Sequence, residues 1–549
     1  MAGCHTEVVM YKGLRSSKAS LLPGMGISLL LLGFAFLLFA TLYFAQDAHS
    51  FTEIDSRVYA LLRFTLYQAF LSTLFSLSVG LLLAWSLAHQ SRFKGRSLLV
   101  ALFSSSLVLP TLIVVFGLIG IFGRNGWINQ AALYLFGHSF GAYLYGLGGI
   151  LLAHTYLNAS FAARALLHGF ESIPKEKYKL AKSLDFSLLE RFLYVEYPAL
   201  KSTLLNIGST IFLLCFTSFA VVLLLGGSPS YNTLEVAIYE AVKLDFDIGL
   251  ALKLALIQLS ISALLVVFSS SFRTGLSNLK TAMLEIPWRE PKGVQRFQRA
   301  IIVLFTLFFV LPLIVIVTDG IGADFVRIFK ETLFIRSLLT SIGLATASGI
   351  LTVIIALFLS DTRRNFTLDT RLAGKPFAKF LNAVVAFSGN LYLAIPALVL
   401  GLGFFLMSQK YEAPMAVWST AALLTANVLM SLPFALSVLA PAMQKTAQRY
   451  DRLVFSLGLT KMQRWVYVEY PYLKSSLGYV FALAFCFSLG DLGIIALFGS
   501  DEFTTLPWYL YQLMGSYRTT DASGVALVLL VLVLSVFIVI PKLFRGKSH

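Results

Sequence analysis

The chain has 549 residues, of which 58% are hydrophobic and only 13% charged. An average soluble domain carries about 25% charged residues, so a soluble core is excluded and lipid is the solvent for most of this surface. The net charge of +16 suits basic loops beside a membrane better than a nucleic-acid groove, and no nucleic-acid partner is expected. Three cysteines form neither a disulfide framework nor a metal-ligand spacing: Cys4 is in the polar N-terminus, while Cys215 and Cys486 lie in apolar runs and read as packing residues.

In chain order, twelve apolar windows are long enough to cross a bilayer as helices: 21–45, 64–89, 97–122, 142–163, 203–226, 249–270, 299–319, 333–359, 378–407, 414–440, 474–498 and 523–543. The first follows a polar segment, 1–20, and has no small-residue cleavage site, so it reads as an uncleaved anchor. Most of the 43 Lys and Arg residues fall on alternate sides of these windows: in the N-terminus, 90–96, 164–202, 271–299, 361–379, 442–475 and the C-terminus. The positive-inside rule then places both termini in the cytoplasm.

The chain repeats itself. "SLDFSLLERFLYVEYPALKSTL" (183–204) and "SLGLTKMQRWVYVEYPYLKSSL" (456–477) share 12 of 22 positions at an offset of 273. Gly227, Thr233 and Tyr239 meet Gly499, Thr505 and Tyr511 at an offset of 272, and Arg63 meets Arg336. The organisation is therefore an N-terminal segment 1–20, a first half 21–270, a linker 271–298, a second half 299–543 and a tail 544–549. Each half holds an even number of spans, so the repeats are parallel, about an axis along the membrane normal. The fold class is an all-α integral membrane protein of about twelve spans in two six-helix repeats.

The repeated stretch follows the fourth span of each half on the basic, cytoplasmic side. Leu180 and Leu184, like Leu453 and Leu457, are four apart and form one apolar stripe flanked by charge. Asp185 and Gly458 occupy a turn position, where left-handed backbone suits Gly and Asp. A short second helix carries Arg191 and Glu196, or Arg464 and Glu469. Pro198 and Pro471 then start the next helix, where a missing N–H costs nothing. A loop that merely connects spans has no reason to match across two halves, whereas a cytoplasmic partner present twice would require the match.

This pattern resembles the "EAA" loop of binding-protein-dependent ABC importer permeases, in which a glycine is followed by nine residues and then I-x-L-P. Gly458 and Asp185 are each followed by nine residues and then by Val468-Glu469-Tyr470-Pro471 or Val195-Glu196-Tyr197-Pro198. Lys179-Leu180-Ala181 and Arg452-Leu453-Val454 stand in the E-A-A positions, and Asp185 replaces the glycine. The resemblance implies a type I ABC importer permease fold, with the loop as a coupling helix seated in a groove of the ATP-hydrolysing subunit. It therefore implies two copies of an ABC ATPase and a periplasmic substrate-binding protein as partners. The residues it assigns to coupling are Leu180, Ala181, Asp185, Arg191, Glu196, Pro198, Leu453, Gly458, Arg464, Glu469 and Pro471. ATP and Mg belong to the partner, with no cofactor in this chain: Gly546-Lys547-Ser548 resembles the end of a Walker A motif, but Pro541 occupies the earlier glycine position. Fused two-by-six chains of this length resemble the ferric-iron and thiamine importers. "FGRNGWIN", "YGLGGILLAHTYLN" and "SLGDLGIIALFGSDEFTTLPWYLYQLM" look most like the permeases for thiamine and thiamine pyrophosphate of Gram-negative bacteria.

Asp491, in the eleventh window, is a candidate for the translocation pathway, where it would favour a cationic substrate; the competing role is a structural hydrogen bond. His154 and Asn158 share a helix face and serve either interhelical hydrogen bonds or the pathway. Trp127, Tyr143, Tyr145, Tyr156 and Trp508 fit interface belts, and the outer loops 227–248 and 500–522 are candidates for binding-protein contact. Three alternatives stay open: the same machine carrying ferric iron, a twelve-span secondary transporter, and a membrane enzyme. The secondary transporter leaves the repeated loop unexplained. The enzyme lacks a nucleophile–base pair.

Overall fold

The computed structural model describes residues 21–44, 55–91, 93–227, 230–270, 290–368, 375–410, 414–500 and 502–544. The segment 1–20 with Cys4, most of the linker 271–298 and the tail with Gly546-Lys547-Ser548 lie outside the described residues. Among the described residues the regular structure is helical throughout. The first half contains α1 (Leu22–Phe44), α2 (Ser56–His89), α3 (Arg96–Ser104), α4 (Thr111–Phe122), α5 (Trp127–Phe136), α6 (Leu147–Glu171), α7 (Lys175–Ser183), α8 (Leu188–Arg191), α9 (Tyr197–Phe216), α10 (Ala220–Leu225), α11 (Leu234–Lys243) and α12 (Ile248–Ser270). The second contains α13 (Lys292–Ile321), α14 (Phe325–Lys330), α15 (Thr332–Leu368), α16 (Pro376–Asn390), α17 (Ala397–Lys410), α18 (Met415–Ser456), α19 (Lys461–Arg464), α20 (Tyr470–Leu489), α21 (Gly493–Phe498), α22 (Leu506–Gly515) and α23 (Thr519–Phe544).

Among the described residues, ten helical stretches are long and apolar enough to cross a membrane, or eleven if the pair around α16 and α17, bent by 90°, counts as one. The sequence predicts twelve. The difference falls at 142–163. There α6 forms over 25 residues, about 37 Å at 1.5 Å per residue, but His154, Asn158, Arg164 and His168 dilute its apolar content. Of these, His154 and Asn158 turn inward. On α2, Gln68, Ser72, Ser76 and Gly80 recur every four residues on one buried face, and that face packs along α6. Small residues let membrane helices approach closely: a Cβ on Gly80 would lie 2.6 Å from the Ala162 Cβ and 2.9 Å from the Ala159 carbonyl.

Several predicted spans are broken. Pro110 separates α3 from α4, because proline has no N–H to donate and disfavours helix in the residue before it. The fifth span of each half breaks at the same point of the repeat, between Phe216 and Ala220 and between Leu489 and Gly493. Conversely, α18 runs unbroken for 42 residues through Pro433 and Pro441 into the repeated loop. The separate first loop helix predicted there exists only in the first half, where Pro174 precedes α7.

The described chain forms two compact units that cut across the sequence halves 21–270 and 299–543. One comprises the described residues within 1–46, 335–505 and 532–549; the other comprises those within 47–334 and 506–531. The leading helix of each half crosses over, and α14 and α22 of the second half do so too. In the first unit, α1 packs against α16 and α17: Ser28 and Ser388 share a hydrogen bond of 2.6 Å, and the Tyr392 hydroxyl donates to the Leu31 carbonyl at 2.6 Å. In the second unit, α13 packs against α2 and α4. There the Tyr156 hydroxyl donates to the Phe309 carbonyl at 2.7 Å, and its ring stacks on Phe309 with centroids 4.9 Å apart. Tyr156 and Trp508 are thus buried and are not interface-belt residues; Trp127, Tyr143 and Tyr145 are exposed.

Gly80→Val is expected to force α2 from α6 and cost roughly 1–3 kcal/mol, as overpacking does. Gly33→Val, with open space around it, is the control. Thermal unfolding of the detergent-solubilised protein should show a lower midpoint for the first variant only.

Candidate functional site

The two copies of the repeated loop fold alike. In the first, α7 ends at Ser183 and the chain turns at Asp185, whose φ is +53°; in the second, Gly458 has φ +59°. Phe186 N–H donates to the Ala181 carbonyl at 3.0 Å and Leu459 N–H to the Val454 carbonyl at 3.1 Å, the six-to-one bond that closes a helix on a left-handed residue. The next helix opens with a capping box in both copies: Ser187 with Glu190, and Thr460 with Gln463. A π turn follows, Phe192–Glu196 or Trp465–Glu469. It lies directly before Pro198 or Pro471, whose ring would crowd the carbonyl four residues back in a regular α-helix. Each proline then sits in the first turn of α9 or α20.

The loop presents an apolar outer face. Leu180 and Leu184 are 60% and 58% exposed, while Tyr178 and Ala181 on the same helix are buried. The second copy matches: Leu453, Phe455 and Leu457 are exposed, and Asp451 and Val454 face inward. Asp185, Gly458, Pro198 and Pro471 are exposed.

Arg191 and Glu196 are fully buried, and so turn away from that outer face. Arg191 Nε is 3.1 Å from Glu196 Oε1, and its Nη2 is 2.5 Å from Glu290 Oε1. His89 Nε2, at the end of α2, lies 3.3 Å from Glu196 and 3.5 Å from Glu290. The Tyr178 hydroxyl donates to Glu196 at 3.5 Å; burial, then the Glu196 charge, pushes that phenol well above its ordinary pKa. In the second copy Arg464 reaches Glu469 at 2.7 Å and Asp451 at 2.8 Å. Arg364, from the end of α15, reaches Glu469 at 2.6 Å, Asp361 at 3.3 Å and Asp451 at 3.6 Å. In both copies, then, the Arg–Glu pair of the loop is locked onto the end of the second helix of the same half. Sequence reasoning missed His89, Glu290, Arg364, Asp361 and Asp451. The partners are of different types in the two halves, so the repeat alignment carried no sign of them.

His154 and Asn158 point toward α2 and the break after α9. His154 Nδ1 is 2.9 Å from Ser72 Oγ and its Nε2 is 2.9 Å from Ser218 Oγ, while Asn158 donates to Cys215 Sγ at 3.4 Å. Both ring nitrogens of His154 are thus engaged between helices. Asp491 lies in the break between α20 and α21 rather than inside a helix. Its Oδ1 accepts from the N–H groups of Gly493 and Ile494 at 3.1 and 3.4 Å, and its Oδ2 is buried with no hydrogen-bond partner among the described residues. From the two outer loops, the Tyr239 hydroxyl donates to Tyr511, its repeat equivalent; burial first, then Tyr511, pushes Tyr239 up to about 12.

The sequence profile of the binding-protein-dependent transport system inner membrane component matches residues 76–277 and 371–543, so each match contains one copy of the loop. The thiamine transport system permease protein of Escherichia coli (strain K12) is 36% identical over 530 residues, covering 95% of this chain and 96% of its own. The protein of the same name from Brucella abortus (strain 2308) is 35% identical over 499 residues, 90% of each chain. That from Haemophilus influenzae is 37% identical over 481 residues, 87% of each chain.

Gly458→Val places a branched side chain on left-handed backbone, a cost of about 1–2 kcal/mol, whereas Asp185→Gly relieves strain at the equivalent turn. Limited trypsinolysis should cut faster at Lys461 in the first variant and no faster at Lys182 in the second.

Proposed function

Because the chain belongs to the family of binding-protein-dependent transport system inner membrane components, we propose that it is the permease of an ATP-driven importer carrying thiamine or its phosphates. The observation that carries the reading is the pair of matching loops, each with an exposed apolar face and an Arg–Glu lock, fully buried in the first copy and partly exposed in the second. The relatives' similarity over nearly the whole chain supports thiamine as the substrate.

On this reading the protein lies in the bacterial inner membrane with both termini in the cytoplasm, as the alternating basic loops favour. Two copies of an ABC ATPase take Leu180, Leu184, Leu453 and Leu457 into their grooves. ATP and Mg bind there. Closure of the ATPase pair drives the loops together, and the Arg–Glu locks pass the movement to α2 and α15. A periplasmic binding protein delivers the solute to the outer loops around α11 and α22. Asp491 contributes the negative charge that favours the cationic thiazolium, since an unpaired carboxylate oxygen inside a membrane segment is expensive unless it meets a cation or water.

The test is uptake of labelled thiamine in cells lacking this gene, with and without the gene restored. Restored uptake supports the substrate. Restored ferric-iron uptake with none for thiamine would keep the machine and overturn the cargo. Leu180→Asp with Leu453→Asp should abolish uptake while the protein still inserts, because each places a charge on the ATPase-facing surface. Asp491→Asn should lower thiamine uptake while ATP hydrolysis persists; unchanged uptake would remove Asp491 from the pathway.

A further inference from the structure

The two loop locks are built from different parts. Asp451 occupies the position in the second copy that Tyr178 occupies in the first, 273 residues earlier. Arg464 therefore receives two carboxylates from its own repeat, Glu469 and Asp451. Arg191 receives Glu196 from its repeat, but a tyrosine stands where the second carboxylate would be. Glu290 supplies it, from the end of the linker just before α13, at 2.5 Å from Arg191 and 3.5 Å from His89. The Glu290 side chain is 3% exposed, and a buried guanidinium is costly without paired carboxylates. Linker and loop are thus joined by a desolvated contact rather than a solvated surface pair.

We propose that Glu290 is a positioning residue for the first coupling loop, making the junction between the halves a working part of the coupling machinery rather than a tether. Movement of the first loop is then transmitted along two routes: through His89 into α2, and through Glu290 into α13, the leading helix of the second half. The second loop has one carboxylate system of its own and needs no such junction. This inference rests on the reading of the loops as coupling elements.

The test uses the assembled transporter in vesicles and reads ATP hydrolysed per thiamine imported, a ratio that does not change when fewer molecules fold. Glu290→Gln keeps the side chain's shape and removes the charge. It should raise the ratio about tenfold, the scale of weakening one buried ion pair. Tyr178→Asp combined with Glu290→Gln recreates the arrangement of the second copy and should return the ratio to within about twofold of the parent. If Glu290→Gln lowers uptake and hydrolysis together at constant ratio, or if the double variant is no better than the single, the proposal is overturned. Leu180→Asp in the same vesicles separates the two levels: normal coupling there would sink the coupling-loop reading itself, whatever Glu290 does.

Discussion

The structure depends on one interaction made twice, the pairing of a loop arginine with a glutamate five residues on. Arg191 with Glu196, and Arg464 with Glu469, span the π turn that leads into α9 and α20. A helix end that must hold a short loop rigidly has few means of doing so, since hydrophobic burial is non-directional. A guanidinium fork is directional, and in the first copy, where the pair is fully buried, removal of either partner costs about 3–5 kcal/mol. The pair therefore fixes the angle between the loop and the helix after it. The histidine or arginine that joins it then ties that angle to α2 or α15.

With the angle fixed, the outer face of the loop is free to be apolar. Leu180 and Leu184 stay exposed because the inward positions, Tyr178 and Ala181, already fill the space beneath them. The crossing-over of α1 and α13 follows a similar logic. Each leading helix offers a small or polar surface, Ser28 on α1 or the carbonyl of Phe309 on α13. Each finds its hydrogen-bonding partner, Ser388 or Tyr156, among helices of the other half. In hydrocarbon such a bond has no competition from water, and it selects which helix neighbours which.

The sequence made the class, the repeat and the loop's turn legible because these are local. Composition reports lipid, and spacing reports the turn at Asp185 and Gly458 that the backbone angles then display. Cooperative features were not legible. The breaks at 217–219 (Thr-Ser-Phe) and 490–492 (Gly-Asp-Leu) contain no proline, and two polar or small residues inside a long apolar stretch do not end an apolar window. The roles of Arg191 and Glu196 as inward anchors were hidden as well, because charge in a basic loop reads as solvated surface until Glu290 and His89 arrive from distant parts of the chain. Asp451 was hidden by its own equivalence to Tyr178.

The two halves agree where symmetry is useful and differ where it is not. The loops match in turn, capping box, π turn and lock, as binding to two identical partners would demand. The membrane interior does not match. His154 is replaced in the repeat by Asn427, which donates to Ser488 at 2.9 Å, and Ser218 by Asp491. The first half closes its polar network by joining His154 to both Ser72 and Ser218, whereas the second leaves a carboxylate oxygen unpaired. On the proposed reading, two identical partners would bind the matching loops, while a solute without symmetry would meet unequal polar groups in the two halves. In a fused chain each position occurs once, so one half can change alone, and a charge such as Asp491 then enters the membrane singly rather than as a repelling pair.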